Sequence, residues 1–584
     1  MRWPRLNFPL LLSLFVATAT PIHAQDAEVT TRLRQDISAL TAFPSRAPGT
    51  PGNTAAAALV ENRFKQIGLA KVRADVDYIT APVTKAANLT LGGRQLNLLP
   101  VYPNHVVAST TPIKGLTGPL VYGGLGRPAD FNGQIVDGSI VVLDFNSGMN
   151  WITAADLGAK AVIFLEPTST ERGQAERKFT YLPVEVPRYY ARGAEAAAIR
   201  AAKGQRVTVK SQVVWEKVPV RTVLGYLAGK NPPASTEKDP KRNTLIVSAY
   251  YDSMSVVPDL APGAEAAGNM AALLELARRF KANPPSYNVL FVANGAHHLS
   301  LAGVRNFIAN HVIDMRGKAE DATGDAAKAA AEAAYKAKTD EIASYRAFIG
   351  LDLTSRTRTV GLFAKSWFYN QMTVGSENIL LNQFSKLANS VGRYAQEEAD
   401  KRKVPIEEAF VDGITGREGR TWRSYLPSQI ALDSEAATMA ALPGISFATA
   451  NDARLLQDTP FDTLANMSLP NLTAQVESVE GLMRRTMSDV AEGDAKSAPL
   501  LPDASSLSKN FGFMTGRAIF RDVSNATSFL PDTPIPDEKI GNSGVQAVGA
   551  VVSDRNGGST YENKSYSGVR GVMIERGQYS LGTE

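Results

Sequence analysis

The chain contains no cysteine, which excludes disulfides, thiolate zinc sites and cysteine nucleophiles. It lacks any run of about 18 apolar residues, so no membrane span is expected. Histidine is scarce: His23, His105, His297, His298 and His311 are the five in 584 residues. The formal net charge is only +5 and forms no basic stripe, so nucleic acid is not an expected partner. The basic spot at 238–242 reads as solvated loop.

What is present is ordinary globular composition, 44% hydrophobic and 20% charged, in a chain too long for one core. About two to four domains are expected. Residues 1–24 read as a secretory signal. Arg2 and Arg5 supply the positive start, 9–16 (PLLLSLFV) the short apolar run, and Ala24 the small residue before cleavage. Losing Arg2 and Arg5 with this leader takes the formal charge from +5 to +3. An exported chain without disulfides fits a periplasm or an extracellular space.

Apolar periodicity predicts helices over 28–43, 54–67 (ended by Gly68), 265–281 and 470–490, with a further helix starting at 301–308. Residues 100–217 carry short β-like runs at 119–122, 139–143 and 161–165, with a short helix at 154–160, and read as a separate β-rich unit. From 244 the pattern alternates strand and helix. The runs at 245–249, 289–293 and 348–351 look like strands buried on both faces. That alternation implies an α/β domain whose sheet is mostly parallel, with helices on both faces. The Ala/Lys/Glu/Asp-rich stretch 316–345 reads as an exposed helical insertion or an arm. A linker past Ala498-Pro499 leads to a Gly/Ser-punctuated β-rich C-terminal region, 505–584, whose completeness is left open.

In such sheets chemistry gathers at the C-terminal ends of strands. Four segments qualify: Tyr250-Tyr251-Asp252-Ser253, Pro262-Gly263-Ala264-Glu265, Gly295-Ala296-His297-His298, and Asp352. The frames around them, in order, resemble the co-catalytic zinc aminopeptidases, metallopeptidase family twenty-eight. They are Phe43-Pro44-Ser45-Arg46 with Gly49-Thr50, Ser248 to Ser253, Pro262-Gly263-Ala264 leading into 271–278, Phe291 to Ala296, and Asp458-Thr459-Pro460-Phe461-Asp462-Thr463-Leu464. The resemblance covers roughly 30–100 and 220–490. It implies a discontinuous aminopeptidase-like α/β domain over 25–99 and 218–495. The segment 100–217 resembles the protease-associated domain that some members carry inserted there. Its two crossings are expected near 88–100 and 218–227, with the insert overhanging the cleft on the Tyr250 side.

The resemblance also implies two zinc ions sharing a carboxylate and a glutamate that takes a proton from water. Transferred residue by residue, the pattern is largely substituted. The first histidine ligand falls on Tyr250 and the last on Ala436. The bridging aspartate falls on Glu265 if the loop is one residue shorter. The general base and the ligand beside it fall on His297 and His298. Asp352 alone matches, and Asp252 keeps its orienting place. Two readings follow. In one the pocket is degenerate, no cofactor is bound, and the chain is a non-catalytic relative that binds peptides or a protein partner. In the other, Asp352, Glu265 and His298 hold a single zinc in an active metallo-aminopeptidase or carboxypeptidase. A purely structural envelope protein is a third. A Ser/His/Asp triad through Ser253 or Ser300 lacks the Gly-x-Ser-x-Gly elbow.

Overall fold

The computed structural model describes residues 21–104, 107–180, 184–232, 243–312, 344–367, 403–414, 420–440 and 442–491, with short pieces at 324–330, 332–333, 392–393, 395–397, 399–400, 550–552 and 572–574. His105, the segment 1–20 of the leader, most of 316–345 and most of 505–584 therefore lie outside the described residues.

The chain opens with α1 (Pro21–Thr41), which runs through Ala24, and α2 (Pro51–Ile67). The boundaries of α2 follow from local chemistry. Thr50 accepts from the Asn53 amide, Pro51 supplies the first helical φ, and Gly68 closes the helix at φ 81°, where a side chain would be strained. Next come β1 (Ala70–Leu91), β2 (Arg94–Asn97) and β3 (Leu99–Pro100). The second lobe continues with β4 (Leu116–Tyr122), β5 (Ile140–Asp144), α3 (Trp151–Asp156), β6 (Ala161–Leu165), α4 (Arg172–Glu176), β7 (Arg188–Ala191) and α5 (Gly193–Ala201). Strand β8 (Arg206–Leu227) then returns the chain.

β8 pairs with β1 antiparallel along nearly its whole length, from Val207 opposite Leu91 to Tyr226 opposite Ala70. Alternation of apolar and polar residues in β8 supports so long a strand, since Val207, Val209, Val213, Val218 and Val220 are buried. The ribbon runs straight through the boundary expected at 217. The two lobes therefore share this antiparallel pair of strands.

The α/β lobe is built from β9 (Thr244–Tyr250), α6 (Ala264–Ala282), β10 (Asn288–Asn294), α7 (Ala302–His311), β11 (Tyr345–Asp352), β12 (Val360–Phe363), β13 (Phe410–Asp412) and β14 (Gly444–Thr449), closed by the helix Leu469–Ala491. One continuous sheet passes through both lobes in the order β13-β12-β14-β11-β9-β10-β8-β4-β5-β6-β7-β3. Its centre is parallel: β9 pairs in parallel with β10 and β11, and β11 with β14. The fold is thus a mixed α/β sheet covered by helices.

Successive residues of the central strands point to opposite cores, as the strand period requires. Leu245, Val247 and Ala249 face the cluster formed with α1, α2, α6 and the C-terminal helix. Ile246 faces the one formed with α7 and the helix Asp433–Met439. Each fully buried large apolar side chain contributes about 1.5–3 kcal/mol. No helix among the described residues is long and apolar enough to cross a membrane.

Candidate functional site

Four chain segments meet where β9, β10, β11 and β14 end. Arg46 fixes the first loop. It is fully buried, and its guanidinium donates to the carbonyls of Tyr251 (2.8 Å), Pro262 (2.7 Å), Gly263 (2.8 Å) and Leu40 (3.1 Å). Burial pushes its pKa down to about 10, against the pull of Asp462 and Asp252. Gly263 must be glycine. Its φ is 52°, and a Cβ there would stand 2.5 Å from the Ser253 Cβ. That turn starts α6, whose Asn269 donates to the Leu351 carbonyl and accepts from the Leu353 amide, pinning the helix to the end of β11.

Asp252, directly after β9, accepts from the amides of His297 (3.1 Å) and His298 (3.2 Å), and its Oδ2 lies 3.2 Å from His298 Nδ1. Burial opposes its charge, yet the two imidazoles hold its pKa below the usual range. Asp252 thus keeps an orienting place, with the two histidines as what it orients.

His297 Nδ1 meets Asp433 Oδ1 at 2.8 Å. A carboxylate only accepts, so this nitrogen carries the proton. Burial acts to lower the His297 pKa, but Asp433 outweighs it and the net shift is upward. The ring also stacks on Tyr250, with centroids 3.7 Å apart and planes 15° apart.

Asp352, at the end of β11, receives Tyr250 Oη at 2.9 Å and Arg454 Nη1 at 2.8 Å, both on Oδ1. Burial would raise its pKa, and Arg454 brings it below the ordinary value. Glu265 is engaged elsewhere. Its oxygens accept from the Ser355 amide (2.7 Å) and hydroxyl (2.8 Å), and burial lifts its pKa to about 7. Its own amide donates to Asp462, whose pKa burial and Glu265 drive well up.

The residues in the expected metal positions therefore share a neighbourhood without forming a ligand set. Among the described residues no group of three or more histidine, aspartate or glutamate side chains is placed to hold a metal. Each member of the expected single-zinc set, Asp352, Glu265 and His298, is hydrogen-bonded within the protein. Ala436 stands where the resemblance puts the last histidine ligand. It packs in the apolar cluster with Ile246, Leu290 and Phe307, facing away from the pocket.

Three residues that the sequence reading did not assign complete the site: Asp433, Arg454 and Asp458. Asp458 is buried, and its carboxylate lies 3.2 Å from Arg172 Nε of α4 without hydrogen-bond geometry. Burial raises its pKa even so, with His298, Arg454 and His297 also within electrostatic reach. Arg172 brings the second lobe to the pocket edge, because its amide also donates to the Leu455 carbonyl and its Nη2 to that of Gln429. The only sequence signals were the position of Asp458 at the head of its frame and that of Asp433 just before Ser434-Glu435.

Backbone strain gathers here. Of the seven non-glycine residues with positive φ among the described residues, Ser300, Leu301, Asn451, Arg454 and Asp458 lie in the two loops that carry the histidines and Arg454. Each costs on the order of 1–3 kcal/mol, and such strain concentrates at functional sites.

The fold and pocket define an α/β protein with a buried cluster of carboxylates and imidazoles at the strand ends. Residues 231–480 match the model of peptidase family M28, in line with the resemblance that the sequence frames carry. No curated protein matches it. Similar solved structures include a zinc aminopeptidase from Bacillus subtilis (17% identity, 82% of this chain and 98% of that one, TM-score 0.47). Others are a peptidase M28 precursor from Shewanella amazonensis (14%, 82% and 99%, 0.45) and an aminopeptidase from Aneurinibacillus (19%, 78% and 95%, 0.39).

Proposed function

We propose that the chain is an exported, non-catalytic relative of the M28 peptidases whose pocket binds a peptide or a protein partner without cleaving it. One observation carries this reading: each side chain in an expected metal or base position already has its partner within the protein. Asp352 is held by Tyr250 and Arg454, Glu265 by Ser355, His298 by Asp252 and His297 by Asp433. Zinc does not fit this arrangement. Tyr250 is a neutral phenol bonded to Asp352, and Ala436 offers no donor atom. With His297 in place of a carboxylate base, proton transfer loses a further ~10²–10⁴-fold.

Exported protein should give no hydrolysis of aminoacyl-nitroanilides above buffer, with or without added zinc. Labelled peptides should still bind in a fluorescence anisotropy titration. Chelator-sensitive turnover would replace this reading by that of an active metallopeptidase. Absence of both turnover and peptide binding would leave a structural role.

A further inference from the structure

We propose that Arg454 is a resident cation of this pocket, its guanidinium supplying in covalent form the positive charge that the buried carboxylates require. The inference rests on the non-catalytic reading above and names what holds the pocket together.

Charge balance comes first. Arg454 is 4% exposed and sits among three buried carboxylates, Asp352, Asp452 and Asp458. Uncompensated charges in such surroundings cost several kcal/mol each. Arg454 answers two of them directly. Nη1 donates to Asp352 Oδ1 at 2.8 Å, Nη2 lies 3.3 Å from the Asp352 carbonyl, and the backbone amide donates to Asp452 Oδ1 at 2.7 Å. Its own burial would weaken its charge, but the carboxylates raise its pKa above that of a free arginine.

Unsatisfied acceptors come second. Asp352 Oδ2 and both oxygens of Asp458 are buried without a hydrogen-bond partner. The cluster thus retains acceptor capacity beyond what Arg454 takes up, as expected where one fixed cation serves a carboxylate set able to hold more.

Backbone cost comes third. Arg454 adopts φ 51°, a region that side chains rarely enter, between Asn451 at 59° and Asp458 at 64°. A loop strained at three points must be over-determined by its contacts, and the contacts of Arg454 are these carboxylates.

The test uses the full chain and thermal melts. Arg454→Gly removes the side chain and suits the left-handed backbone. Its melting temperature should fall and then recover with millimolar guanidinium or with zinc, while wild type shows neither response. Its zinc affinity should exceed that of wild type by ~10-fold or more. Arg454→Lys keeps a charge without the fork geometry and should fall between the two. If Arg454→Gly does not fold, a double-mutant cycle of Asp352→Asn and Arg454→Met decides, with strongly non-additive melting shifts expected. Wild type that takes up zinc as readily as Arg454→Gly, a glycine variant as stable as wild type, or additive effects in the cycle would each overturn the proposal. Turnover assayed in the same preparations tests the non-catalytic reading separately: turnover with guanidinium rescue would sink that reading alone.

Discussion

The two lobes bury charge in opposite ways. At the strand ends of the α/β lobe, carboxylates are in excess and are steadied by Arg454, two histidines and the edge residue Arg172. Inside the second lobe, Lys178 and Arg188 are buried against carbonyls and aromatic rings instead. Lys178 is fully buried, donates to Gly148 and Ser147, and lies 4.9 and 4.7 Å from the ring centroids of Phe145 and Phe164. Arg188 donates to the carbonyls of Lys178 and Tyr102 and sits 4.9 Å over Trp151. Carbonyl dipoles and aromatic faces there do what a counter-charge would do elsewhere. A cation in that lobe is part of a local scaffold. A cation in the α/β lobe belongs to a network drawn from segments hundreds of residues apart, and removing it disturbs several loops at once.

Four substitutions sharpen this contrast. Arg46→Ala should have the largest effect, a loss of ~3–5 kcal/mol in chemical denaturation, because four buried carbonyls lose a charged donor together. Lys178→Met probes the other lobe, and pH gives the sign. Burial, with Arg188 adding to it, depresses the folded pKa to about 7 from an ordinary 10.5. Folding therefore opposes the charged form. The penalty is complete below pH 7 and disappears as pH rises towards 10.5. The variant should gain roughly 2–4 kcal/mol over wild type at pH 6, with the gain shrinking through pH 7–10 in parallel urea melts. A gain that does not change with pH would mean that burial leaves the Lys178 pKa unshifted on folding. Tyr250→Phe removes one donor from Asp352 and leaves Arg454 in place, so a cost of only ~1 kcal/mol is expected. Lys65→Ala breaks an exposed pair with Glu61 one turn away, and its melting curve should move by no more than ~0.5 kcal/mol.

The central strands were legible because both their faces are buried. The run 245–249 became β9, 289–293 became β10, and helix 265–281 became α6 within a residue at each end. Gly68 ends α2 as its position suggested. The ribbon of β1 and β8 was not foreseen, since strands exposed on one side carry a weaker pattern and their pairing joins residues far apart in sequence. At the site, the strand-end residues Tyr250, His297, His298 and Asp352 could be placed from sequence. Arg454 could not: a charged residue in a loop is ordinarily solvated, and nothing local signals that φ 51° turns it inward. Frame matching fixes order along the chain but not which face of the helix Asp433–Met439 meets the sheet. That face carries Asp433 to His297 and turns Ala436 into the apolar core.

Metal content of the full chain, measured by elemental analysis after incubation with zinc and gel filtration, tests the central claim most directly. A cluster whose charge is already balanced by Arg454 predicts far less than one zinc ion per chain, with no difference between wild type and Asp352→Ala. Two zinc ions per chain, lost in Asp352→Ala together with a chelator-sensitive aminopeptidase activity, would contradict it.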